Sequence, residues 1–112
     1  MLERIAQARQ KAGLGRLPSH PKLEALAQKY VGEIGDDLGD ATDAIGDKVT
    51  KELVGSDLNG VVVGANAFIA VDLYQAEGSA VSGRAKAIGI ATVKGTDSRG
   101  RPAIKALVLI GL

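Results

Sequence analysis

A chain of 112 residues is the length of one domain, enough to bury roughly two-thirds of its unfolded surface. Its side chains are 46% hydrophobic but only 3% aromatic, so the core must be built from Ala, Val, Ile and Leu, which favours close backbone approach over wide pocket walls. The lack of cysteine excludes disulfides, thiolate catalysis and cysteine-based zinc sites, and a formal net charge of +1 gives no general pull toward nucleic acid or membrane.

Leu2, Ile5 and Ala6 open an apolar stripe that runs through Arg9 and stops at Gly13. Glycine there can take the left-handed conformation that ends a helix, with Leu14 folding back on the last turn. This first helix is amphipathic and has none of the apolar core of a secretion signal. The sequence starts as though cut from a longer chain, so any leader is expected to lie outside it. His20 is the expected N-cap of a second helix, with Pro21 at its first position, where a missing N–H costs nothing. Leu23, Leu26, Ala27, Tyr30, Val31 and Ile34 fall at i, i+3, i+4, i+7, i+8 and i+11, one face of that helix, and Gly35 closes it.

A third helix is expected from Asp40 to Val54, capped by Asp40 with Asp43, lined by Ala41, Ile45, Val49 and Leu53, and ended by Gly55. Gly46 inside it costs about 1 kcal/mol against alanine. After Asn59-Gly60 the apolar period falls from 3.6 to 2. Val61 to Val63 and Phe68 to Tyr74 read as strand with a bulge or bend near Gly64, Ile69, Val71 and Leu73 sharing a face. Gln75 to Gly83 reads as a small-residue loop or short helical turn. Ala87 to Val93 and Ala103 to Ile110 read as two more strands joined by a long hairpin loop, GTDSRGRP. The last strand is apolar on both faces and belongs in the middle of the sheet. The run VVVGANAFIAV is too short and too glycine-broken to span a bilayer. The expected class is α+β: about three N-terminal helices packed on a small antiparallel sheet of three or more strands, as one domain over residues 1–112.

Arg9, Gly13-Leu14, Leu17, His20-Pro21, Leu23, Ala27 and Tyr30 together resemble the opening of the CAP superfamily, also called SCP-like domains. Val63-Gly64-Ala65-Asn66-Ala67 is similar to that family's Gly-Glu-Asn strand, with alanine in place of glutamate. Ala87-Ile88-Gly89-Ile90-Ala91, a hairpin and a last apolar strand resemble its closing pair. The resemblance covers roughly the first third and last quarter of the chain. Family members carry two histidines and two acidic residues in a cleft that can hold a divalent metal. This chain has a single histidine, and it stands at a helix start. Ala65 replaces the glutamate, and Ala76 to Gly83 replaces the tryptophan-containing segment. The resemblance therefore implies an SCP-like domain with an emptied cleft, in which His20 and Asn66 remain as possible cleft residues, and a secreted or cell-surface setting.

Asp36, Asp40, Asp43 and Asp47 lie at i, i+4, i+7 and i+11. On a continuous helix they would form a carboxylate stripe of the hard-oxygen kind that attracts Ca²⁺, although the spacing is not that of an EF-hand loop. A capped, solvated acidic face is the simpler reading. His20 beside Ser19 invites an acid–base role, but no nucleophile elbow accompanies them. Lys94, Arg99 and Arg101 gather at the hairpin, with Arg84, Lys86 and Lys105 near in sequence; a basic ribbon can meet a phosphate backbone or an acidic partner. No aromatic residues interleave to stack on bases, which disfavours nucleic acid. The residues thus point to a non-enzymatic binding or assembly module contacting another protein or itself, with no cofactor, no catalytic residues and no membrane insertion. Residues 1–57 carry net −2 and residues 58–112 net +3, a mild asymmetry that permits head-to-tail association. A cation-dependent module or hydrolase using the aspartate stripe, and nucleic-acid binding through the Arg99 hairpin, are the alternatives.

Overall fold

The computed structural model describes residues 2–34, 38–58, 60–68, 83–96 and 99–112. Helix α1 (Leu2–Lys11) ends as its sequence dictates. Gly13 has φ +78°, its amide bonds the Gln10 carbonyl at 3.1 Å, and the Leu14 amide reaches back to Arg9 at 2.8 Å. This pair of bonds satisfies carbonyls that the helix end would otherwise leave bare. Arg9 is buried, and its Nε donates to the Gly15 carbonyl at 2.5 Å, tying the turn to the helix it follows. Gly13→Ala puts a side chain into left-handed backbone and is expected to cost about 1 kcal/mol, lowering the thermal midpoint by roughly 4 °C. Unchanged melting of the variant would show that this turn is not held in the left-handed form.

Helix α2 (Pro21–Tyr30) buries Leu23, Leu26, Ala27 and Tyr30. It passes into a 3-10 turn, Val31–Glu33, which continues the stripe by burying Val31 and Ile34. Gly35, expected as its stop, lies outside the described residues. Helix α3 (Leu38–Glu52) buries Ile45 and Val49, with Leu53 just past its end. It starts earlier than its aspartates suggest, so Asp40 sits inside the first turn and is not its cap, and Gly55 (φ +85°) follows the end.

Strands β1 (Val61–Phe68), β2 (Ala87–Thr96) and β3 (Pro102–Gly111) form an antiparallel sheet in the order β1-β3-β2. With the three helices this makes an α+β fold, and β3 takes the middle place its two-faced apolarity demands. The expected bulge at Gly64 is absent: the register runs unbroken from Val61 opposite Gly111 to Phe68 opposite Ile104. The expected strand residues 69–74 lie outside the described residues. Strands β2 and β3 run further than their apolar pattern, Thr96 pairing with Pro102.

The sheet separates two apolar clusters. Leu107 and Leu109 face α2 and α3 together with Ala87, Ala91, Leu23, Ile45 and Val49. Val108 and Ile110 face the other way, with Ile88, Ala85 and Ile5 of α1. Helix α2 rests on β2 and β3, and α3 rests on β1. The two edges of the sheet are finished differently. Residues 18–20 run alongside β2, His20 N–H donating to Ile88 O and Ile88 N–H to Pro18 O, both at 3.0 Å. No described strand pairs with the outer edge of β1.

Candidate functional site

His20 occupies the N-cap position of α2, but its side chain caps nothing. The ring turns instead to Asp57 in the loop after α3, Nε2 lying 3.1 Å from Oδ1. Nδ1 is buried and has no hydrogen-bond partner. Ser19 precedes it in extended backbone, where successive side chains point to opposite sides, and Ser19 borders a hollow of about 110 Å³ beside Ile5, Leu17 and Ile88. The ring nitrogen not used by Asp57 therefore faces no hydroxyl, and the two residues do not form a nucleophile–base pair. The contact is a clasp between the start of α2 and the loop leading into β1. It holds the Asp57 carboxyl below the usual carboxylate range, through the bond from His20 first and the loop's own backbone second.

A second polar cluster joins α2 to α3. Lys29 Nζ donates to Glu52 Oε1 at 2.8 Å, the Tyr30 hydroxyl donates to Glu52 Oε2, and Lys48 pairs with Glu33 at 2.6 Å. Both lysines lie over the Tyr30 ring, at 5.2 and 5.7 Å from its centre, close enough for a cation–π attraction. The Lys29 and Tyr30 donors lower the Glu52 carboxyl, while Glu52 raises both the Tyr30 hydroxyl and Lys29, and Glu33 raises Lys48.

The pH dependence follows from these directions. The stability contributed by lowered Glu52 and Asp57 is complete above the ordinary carboxylate pKa of about 4 and is lost as pH falls through their lower folded values. That from raised Tyr30, Lys29 and Lys48 is complete below their ordinary values of about 10 and is lost as pH rises through the raised ones. Thermal midpoints are expected to be level between these limits and to fall on both sides. Glu52→Gln should flatten part of each limb; an unchanged profile would show that the cluster adds nothing to folding.

The aspartate stripe is only partly assembled. Asp43 and Asp47 are exposed on α3, Asp40 is in the first turn of that helix, and Asp36 lies outside the described residues. Among the described residues no three His, Asp or Glu side chains converge on a point. Asn66 stands in β1 opposite Ala106, whereas His20 bonds Ile88, which is opposite Ile110, so the two lie at different places along β3. The basic residues do not gather either. Lys94 pairs across with Ile104 and Lys105 with Val93, neighbouring positions of β3, so the two lysines point to opposite faces. Lys105 Nζ reaches the Ile34 carbonyl at 3.3 Å. Arg99 and Arg101 are exposed around Gly100 and each is already engaged. Arg84 and Lys86 stand at the other end of β2.

The feature that motif reasoning missed is on the flank of β1 and α3. Val54 is 80% exposed beside a notch of about 180 Å³ lined by Thr50, Leu53, Leu58 and Val61. Below it runs β1, VVVGANAF, with neither a charge nor a proline. Edge strands are ordinarily guarded by such residues against pairing with other chains. The signal for this surface was the uncharged run itself. The chain matches no family model, no curated protein and no solved structure. Among the described residues no helix is long and apolar enough to cross a membrane.

Proposed function

We propose that this chain is a non-enzymatic binding or assembly module, an SCP-like domain without the family's cleft residues, that works through protein–protein contact at the β1–α3 flank. The observation that carries this reading is the coincidence, among the described residues, of an uncharged strand with no partner on its outer edge and the exposed Val54 beside its notch. A strand edge offers backbone donors and acceptors to any extended partner, and a notch beside it supplies a side-chain pocket. Export to the cell surface is part of the proposal and rests on the resemblance alone.

Because the chain has no cysteine, Val54→Cys gives a unique attachment point for a photo-cross-linker. The expected result, in extracts of the source cells, is one adduct of defined mass that excess unlabelled chain competes away. The same probe at Arg99→Cys should give none. Adducts only from position 99, or none that saturate, would contradict the assignment.

A further inference from the structure

We infer that the groove between α1 and residues 14–19 captures the C-terminal carboxylate of a peptide that ends in a small aliphatic residue. The groove is separate from the β1–α3 flank and does not depend on it. Ile5 and Ile88, which line it, belong to the apolar cluster on the sheet face away from α2 and α3, and β2 is the edge strand opposite β1. The chain makes this groove by doubling back. Gly13 turns it, and the bonds from the Leu14 amide to Arg9 and from Arg9 to the Gly15 carbonyl hold residues 14–16 against α1. Pro18 and His20 then tie the next residues to Ile88. Both walls are thus set before a ligand arrives, which lowers the cost of binding.

Two hollows open along the groove. The wider, about 580 Å³, is lined by Gln7, Gln10 and Arg16; small-ligand sites run from roughly 300 to 1,000 Å³. The narrower is the one of about 110 Å³ beside Ile5, Leu17, Ser19 and Ile88. Arg16 lines both. It is exposed, and among the described residues the side chains of Arg16, Gln7 and Gln10 bond no other group. The charge around them is one-sided: from Arg4 to Leu23 the chain carries Arg4, Arg9, Lys11, Arg16 and Lys22 and no acidic residue. A lone unpaired guanidinium suits a singly charged carboxylate, which it can grip with two parallel bonds. A phosphate dianion would call for a second cation, and Arg9 is buried and already bonded to Gly15. The narrow hollow selects what stands beside that carboxylate. An apolar cavity of about 150 Å³ holds benzene, so one of about 110 Å³ takes an isopropyl or isobutyl group and is too small for an indole. Gln7 and Gln10, one turn apart on α1, each offer a donor and an acceptor, the complement of the peptide groups before the last residue. A free short-chain acid would reach Arg16 and the narrow hollow but leave both carboxamides unused.

The test titrates the isotope-labelled full chain with acetyl-glycyl-seryl-glycyl-valine, its C-terminal amide, the same peptide ending in tryptophan, and isovalerate alone. The valine acid should shift the amides of residues 6–10 and 14–17 and of Ile88, and bind roughly tenfold tighter than the amide or the tryptophan form. Isovalerate should shift only the amides around Leu17 and Ile88, at roughly tenfold lower affinity. Arg16→Gln should weaken the valine acid roughly tenfold while leaving the melting curve unchanged, because this side chain holds no described residue in place. Isovalerate binding as tightly as the peptide would make the ligand a free aliphatic acid and overturn the peptide assignment. Equal affinity for the amide or the tryptophan form, an unaltered Arg16 variant, or no saturation at millimolar peptide would each overturn the site.

Discussion

Gly89→Ala is expected to be the most damaging single-methyl change in this protein, lowering stability by about 3 kcal/mol and the thermal midpoint by roughly 10–15 °C. A Cβ at this position would lie 2.6 Å from both the Leu23 carbonyl oxygen and the Glu24 amide nitrogen, and closer still to the Leu23 carbonyl carbon. These are backbone atoms of α2, so no rotamer change can relieve the clash, and the helix itself must lift from β2. The lifting would loosen Leu23 and Ala27, both fully buried. Gly111→Ala provides the control. There the added methyl meets the tips of Leu58 at 2.9 Å and Leu23 at 3.1 Å, which are flexible side-chain ends. Its cost should be clearly smaller. Equal melting of the two variants would mean that α2 does not sit on β2 as closely as described.

The second large effect is expected at the centre of the sheet. Leu109→Ala removes a fully buried side chain from β3, in the cluster shared with Leu23, Ile45 and Val49, and should cost 2–5 kcal/mol, or about 3. In a domain whose whole stability is of the order of 5–15 kcal/mol, that is a large share. On the opposite face Ile110→Val, also fully buried, should cost only about 1 kcal/mol, because one methylene leaves a small cavity. Urea denaturation distinguishes them by midpoint at equal slope. A Leu109→Ala loss below that of Ile110→Val would contradict the placement of β3 between two packed layers.

Much of this architecture is written locally. The left-handed end of α1 is set by Gly13 and Leu14, the face of α2 by the spacing from Leu23 to Ile34, and the central place of β3 by apolar residues on both of its faces. Each needs only neighbours within a turn or an alternation. The errors arise where distant partners decide. Gly64 looked like a break because glycine weakens a strand, yet its β3 partner Val108 is held on both sides and keeps the ladder in register. His20 looked like a cap because of its position, but its partner Asp57 is 37 residues away and arrives only when the loop before β1 closes on α2. Asp40 followed by Asp43 reads as a capping pair, but α3 begins at Leu38, ahead of both.

The candidate site was less legible than the fold. Charged series draw the eye in a sequence, and here Asp43, Asp47, Lys94 and Arg101 are exposed without converging on one point. An edge is defined by which strands do not pair, which only the sheet order reveals. Once β1 is outermost among the described strands, the run that reads as a strand with a bend near Gly64 becomes one with no described partner on its outer side. The exposure of Val54 likewise depends on how α3 lies over that strand.

Amide hydrogen exchange along β1 tests the open edge most directly. Amides bonded to β3 should be protected and the intervening, outward ones should exchange rapidly, giving an alternation of period two over residues 61–68. Ile88 on the opposite edge is an internal control: its amide points away from β3 but donates to Pro18, so it should be protected. Alternation in β1 with a protected Ile88 is the predicted result. Uniform protection of β1 would show that its outer edge is already occupied within the chain, and would contradict the proposal that this flank receives a partner.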